Sequence, residues 1–194
     1  AAGVGFRVLP NEMIPLPDGT RLAAKIWLPD SADRKPVPAI LEFIPYRKRD
    51  GTTARDQTNY PVFAAAGYAG VRVDIRGNGD SEGLFDDEYS PRELADAVAV
   101  IDWIAARPWC SGAVGMMGIS WGGFNALQVA ALRPKPLKAV ISIASPLDRY
   151  NDDIHYNNGC LLSANLSWSG TMLAYLSRPP DPALVGEGWR ATWL

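Results

Sequence analysis

Short apolar runs separated by turn residues set the rhythm of this chain. "PAILEFIP" (38–45), "GVRVDI" (70–75), "AVGMMGI" (113–119) and "KAVISIAS" (138–145) are each bounded by Pro, Gly, Asp or Ser. Runs of this kind fit strands buried on both faces, as a parallel sheet requires. Upstream, "PLPDGTRLAAKIWLP" (15–29) reads as two strands around an Asp18–Gly19 turn, a strong hairpin signal.

Between these runs the apolar period lengthens to that of a helix. In "SPRELADAVAVIDWIAARP" (90–108), Ser90 is a helix N-cap, Pro91 fits the first turn and Glu93 completes a capping box. Leu94, Val98, Ile101 and Ala105 then recur at helical spacing until Pro108 stops the run. "QTNYPVFAAAG" (57–67) and "WGGFNALQVAALRP" (121–134) predict two more helices. A hairpin leading into alternating strands and helices predicts an α/β fold with a mostly parallel sheet, over residues 1–147. After Ser145 there are helical stretches but no further buried-strand run, and Pro179–Pro180 breaks them. Residues 148–194 are expected to begin a helical cap or lid, cut off within the segment "GWRATWL".

Composition narrows the function classes. The chain has 194 residues, enough for one domain with a sizeable core, and its 47% hydrophobic and 21% charged content is that of a globular protein. A net charge of −2 gives no reason to expect a nucleic acid as partner. The one basic run, Arg47-Lys48-Arg49, is followed by Asp50 and reads as a solvated loop rim. No segment approaches the roughly 18 uninterrupted apolar residues of a membrane helix. The cysteines Cys110 and Cys160 form no disulfide framework or metal motif, so reduced thiols and a cytoplasmic setting are expected. The amino terminus has neither methionine nor a charged-then-apolar leader, and reads as processed or trimmed.

The chemistry concentrates at Gly118-Ile119-Ser120-Trp121-Gly122, a Gly-x-Ser-x-Gly pattern joining a predicted strand to a predicted helix. Such a turn holds the serine in a strained backbone and lifts its hydroxyl out of the sheet, and only small neighbours permit it. Serine hydrolases usually need a histidine base, and this sequence contains a single histidine, His155. His155 lies two residues after Asp153 with no strand between, which argues against the spacing of a catalytic triad. Asp148, just after the last strand, is a minority candidate for the acid. "GNGDSEG" (77–83) fails the spacing of a dinucleotide-binding loop, and Asp74 and Arg76 before it read as structural loop closers. Trp168, Trp189 and Trp193 could line an aromatic pocket or pack the lid's own core.

Three stretches carry a family resemblance. "IPYRKRD" (44–50), "DIRGNGDSEG" (74–83) and "RPWCSGAVGMMGISWGG" (107–123) resemble, in order, motifs of the X-Pro dipeptidyl-peptidase and cocaine-esterase branch of α/β-hydrolases, across roughly residues 12 to 150. Trp121 stands where that family usually has tyrosine. The resemblance implies an α/β-hydrolase fold, probed here in its amino-terminal part and incomplete at the carboxyl end. It implies Ser120 as nucleophile, with an oxyanion hole formed by the Tyr46 hydroxyl and the backbone N–H of Trp121. It also implies ester or short-peptide substrates, no metal or organic cofactor, and an acid and base outside these residues. Without the family's last strands the edge of strand 138–145 would lie open, so a carboxyl-terminal partner segment or a second copy is the expected associate. The competing reading is a non-catalytic α/β module that uses the same cleft for binding or assembly.

Overall fold

The computed structural model describes residues 5–193. Strands β1 (Phe6–Pro15) and β2 (Arg21–Pro29) form an antiparallel hairpin, from Phe6 opposite Pro29 to Pro15 opposite Arg21, with a register shift between Leu9 and Glu12. At its tip Gly19 has φ 88°, and the Asp18 carboxylate accepts from Thr20 N at 3.0 Å, so the Asp-Gly pair makes the turn the sequence predicts. Strands β3 (Val37–Ile44), β4 (Ala69–Asp74), β5 (Cys110–Ile119) and β6 (Leu137–Ile143) complete a sheet of order β1-β2-β4-β3-β5-β6. β2 joins β4 antiparallel, and β4, β3, β5 and β6 pair in parallel.

Helices cover both faces of this sheet, and β2 shows how. Leu22, Ala24, Ile26 and Leu28 point into the main core, with Ala97, Val100, Ile101 and Ile104 of α2 (Pro91–Ala105) and Ala126 and Val129 of α3 (Trp121–Leu132). Trp27 points the other way and stacks at 4.3 Å on Tyr60 of α1 (Thr53–Ala65). Alternation on a strand buried on both faces gives this division directly.

Several boundaries differ from the sequence reading. α1 starts at Thr53, four residues before the predicted Gln57, and carries Pro61 inside it. β5 starts at Cys110, where Gly112 at φ 83° accompanies a register irregularity against β3. β6 was expected to be buried on both faces, but Ile141 is 59% and Ile143 44% exposed. It is the sheet's edge, and pairs only with β5 among the described residues.

The largest correction concerns Arg47-Lys48-Arg49. This is not a solvated rim: Lys48 is fully buried, Arg47 is 6% exposed, and only Arg49 reaches the surface. Lys48 Nζ pairs with Asp80 and lies 3.5 Å from Asp74, while Lys48 N donates to Asp74 Oδ1 at 2.8 Å. Asp74 is indeed a loop closer, and Arg76 does the same through Asp96 at 2.8 Å and Asp18 at 2.8 Å. Gly77, Gly79 and Gly83 all have positive φ, so the loop after β4 turns without starting a helix.

Beyond β6 the chain forms a two-stranded hairpin, β7 (Tyr156–Asn157) with β8 (Cys160–Leu161), and helix α4 (Ala164–Leu176). Short helices α5 (Pro182–Val185) and α6 (Trp189–Trp193) follow.

Candidate active site

β3 and β5 are parallel neighbours, so the loops leaving their carboxyl ends emerge side by side. One carries Tyr46 and the other Ser120. Open α/β sheets gather ligands at this edge of the strands. Ser120 has φ 54° and ψ −117°, a conformation that costs a non-glycine residue on the order of 1–3 kcal/mol unless its surroundings enforce it. Packing enforces it here. A Cβ on Gly118 would strike the backbone of Gly122, one on Gly122 would strike Ile44, and one on Gly123 would strike Ser145. Ser120 N donates to Ile143 O at 2.8 Å, tying the turn to β6, and Ser120 O accepts from Phe124 N at 3.0 Å, opening α3.

The Tyr46 hydroxyl lies beside the Ser120 side chain and accepts from Trp121 N at 3.3 Å. Trp121 is the first residue of α3, so its N–H lies at the positive end of the helix dipole. Burial pushes the Tyr46 phenol above its ordinary value, against the opposing effect of its bonds to Ser120 and Trp121. At neutral pH it is therefore an O–H donor and not a base. The structure thus brings the Ser120 turn, the Tyr46 hydroxyl and the Trp121 N–H together at the carboxyl ends of β3 and β5.

A residue the sequence reading took only as a helix cap supports this group. Ser90 Oγ accepts from Glu93 N at 3.2 Å, as a capping box requires. Glu93 also reaches across to the turn: its Oε1 accepts from Trp121 Nε1 at 2.6 Å and Asn125 Nδ2 at 2.7 Å, and its Oε2 from Tyr89 N at 2.9 Å. The indole N–H of Trp121 is what allows this anchor. Burial raises the Glu93 pKa above 4.5, outweighing these bonds. Glu93 therefore holds its proton more tightly folded than unfolded, so its contribution to stability is fullest below pH 4.5 and falls as pH rises through the folded value. Urea titrations of wild type and Glu93→Gln across the acid-to-neutral range should show the wild type losing ground to the variant as pH rises. The opposite slope would contradict this account of Glu93.

His155 and Asp148 are not brought to Ser120. The His155 ring bonds Asn165 through Nδ1, and its Nε2 lies 3.8 Å from Glu88. Asp148 accepts from Asn151 Nδ2 at 2.6 Å and from the N–H groups of Tyr150 and Asn151 at 3.1 Å, the bonds of a local turn that also lower its pKa. Trp168 meets the site, its ring edge-on to Tyr46 at 5.9 Å. Trp189 instead lines a cavity of about 680 Å3 between residues 77–85 and 176–189, which neither Ser120 nor Tyr46 lines. The Trp193 side chain lies outside the described residues. Both cysteines are free, Cys110 buried and Cys160 exposed. No helix among the described residues is long and apolar enough to cross a membrane.

Residues 18–193 match the X-Pro dipeptidyl-peptidase (S15) family. The chain belongs to that family. Its relatives include the cocaine esterase of Rhodococcus sp. (strain MB1 Bresler), 36% identical over 190 residues, covering 92% of this chain and 32% of the esterase. Among solved structures, an α-amino acid ester hydrolase superposes with a TM-score of 0.72 at 27% identity, over 93% of this chain and 31% of that one. A CocE/NonD family hydrolase from Staphylococcus aureus, at 21% identity and a TM-score of 0.76, covers 96% of this chain and 38% of its own, and shares the fold. The chain spans about a third of the length of these relatives. The α/β-hydrolase fold read from the three motifs is thus the fold of its structural neighbours.

Proposed function

We propose that this chain carries the nucleophile and oxyanion hole of a serine hydrolase acting on carboxylic esters or on amide or peptide bonds. The observation that carries the reading is Ser120, held at φ 54° next to the Trp121 N–H, which donates to the Tyr46 hydroxyl at 3.3 Å. Ser120 Oγ attacks the acyl carbonyl, and the carbonyl oxygen becomes an oxyanion that accepts from Tyr46 O–H and Trp121 N–H. The tetrahedral adduct collapses to an acyl-Ser120 ester with loss of the alcohol or amine, and water then releases the acid. The names of the relatives, an esterase and a dipeptidyl-peptidase family, support an acyl group as the common element of the substrate.

The general base and its acid partner lie outside these 194 residues in this reading. Both ring nitrogens of the single histidine face Asn165 and Glu88 instead of Ser120. Residues 148–193 act as a cap, with Trp168 of α4 against Tyr46. The β6 edge, which pairs only with β5 among the described residues, fits association with a carboxyl-terminal partner segment or with a second copy of the chain.

The test is acylation by 4-nitrophenyl acetate followed by intact mass. One acetyl adduct is expected in the wild type and in His155→Ala, and none in Ser120→Ala. Loss of the adduct in His155→Ala would mean that His155 completes the site. An equal adduct in Ser120→Ala would place the reactivity elsewhere.

A further inference from the structure

Arg47 follows the oxyanion tyrosine directly, and nothing in the chemistry above uses it. Its backbone is at φ 54°, in the left-handed region that a non-glycine residue seldom adopts. The guanidinium is buried and makes bonds in three directions. Nε donates to the Asp50 carboxylate at 2.9 and 3.1 Å, Nη1 to Arg178 O at 3.1 Å and Tyr175 O at 3.4 Å, and Nη2 to Pro179 O at 3.0 Å. Helix α4 ends at Leu176, so these carbonyls belong to its last turn and the chain just beyond. Carbonyls there lack intrahelical partners, and the helix dipole is negative. A planar fork of five N–H donors can span them, whereas the single ammonium of a lysine cannot.

The same helix forms a wall against the Tyr46 ring. Tyr175 lies 6.1 Å from it and Trp168 stands edge-on at 5.9 Å. A Cβ on Gly51 would strike both the Tyr46 carbonyl and the Tyr175 ring, so the loop and α4 are in close contact there. Met172 is the one buried residue of α4, and Trp168, Tyr175 and Leu176 pack partly buried against the same core, so the end of the helix is held at the loop by Arg47 as well as by this face.

We propose that Arg47 is a positioning residue that ties the end of α4 to the loop carrying Tyr46, and so holds the phenol against Ser120 and the Trp121 N–H. This rests on the reading of Tyr46 as an oxyanion donor. A donor that acts in the transition state should show its displacement in kcat rather than KM.

In the acylation of Ser120 by 4-nitrophenyl acetate, followed as the burst of 4-nitrophenolate, Arg47→Gln is expected to lower the saturating rate, kcat for that step, about 10²-fold with the half-saturating concentration little changed. Arg47→Lys should recover part of the loss, and it serves as the working variant if Arg47→Gln does not fold. In a Tyr46→Phe background the Arg47 substitution should cost little more, because its effect passes through the phenol. The same fold-loss in both backgrounds, or an unchanged saturating rate, would overturn the proposal. If the wild type shows no Ser120-dependent acylation, the proposed function fails first, and the proposal is read from NMR of 13Cζ-labelled tyrosine. The Tyr46 resonance, assigned through Tyr46→Phe, should shift in Arg47→Gln, and an unmoved resonance would overturn it.

Discussion

Lys48→Met should destabilise the fold by about 3–5 kcal/mol, the cost of breaking a buried ion pair by removing one partner. The side chains of Lys48, Asp74 and Asp80 are 0, 1 and 2% exposed, so no solvent shell can replace the ammonium. Methionine fills similar space without charge, and both carboxylates would stay buried with one cation fewer beside them. Asp74 would keep its bonds from Lys48 N at 2.8 Å and Asp80 N at 3.2 Å, and Asp80 its bond from Asp181 N at 2.9 Å. These are too few to balance two charges at low dielectric. Urea denaturation checks this through a lowered midpoint at unchanged m-value. Adding Asp80→Asn should return part of the loss. A loss under about 1 kcal/mol would mean that water reaches the pair, contrary to the burial described here.

Tyr46→Phe should leave stability nearly intact and slow acylation of Ser120 by on the order of 10² to 10³. Phenylalanine keeps the ring between Trp168 and Tyr175, so the wall of α4 stays seated. Only the hydroxyl is lost, and with it one of two donors facing the developing oxyanion. Because the phenol is neutral in the resting site, its removal should not shift the pH profile below the ordinary tyrosine range. Pre-steady-state release of 4-nitrophenolate gives the acylation rate directly. A rate unchanged by Tyr46→Phe would leave the Trp121 N–H as sole donor, and the tyrosine as a packing residue.

Local rules made much of this fold legible. Asp18–Gly19 turns the first hairpin, Ser90 and Glu93 cap α2, and the glycines around Ser120 mark the turn that the structure holds at positive φ. What stayed hidden depends on partners distant in the chain. Lys48 looked solvated because its counter-charges, Asp74 and Asp80, lie 26 and 32 residues away and meet it only once β3 and β4 pair. Glu93 showed its capping role, which is local, and not its bonds to Trp121 and Asn125. Tyr46 is proposed as an oxyanion donor through the "PYRK" resemblance, since no periodicity distinguishes such a donor from a strand-end tyrosine. β6 reads like β3 and β5, which lie inside the sheet, because an apolar run by itself carries no sign of being at an edge.

Fluorophosphonate labelling with peptide mapping tests the central claim most directly. The account predicts one adduct on the folded chain, on the peptide that contains Ser120 and absent from Ser120→Ala, formed slowly for want of a base but faster than on an ordinary serine. No adduct on a protein shown to be folded by circular dichroism, or the same adduct in Ser120→Ala, would contradict it.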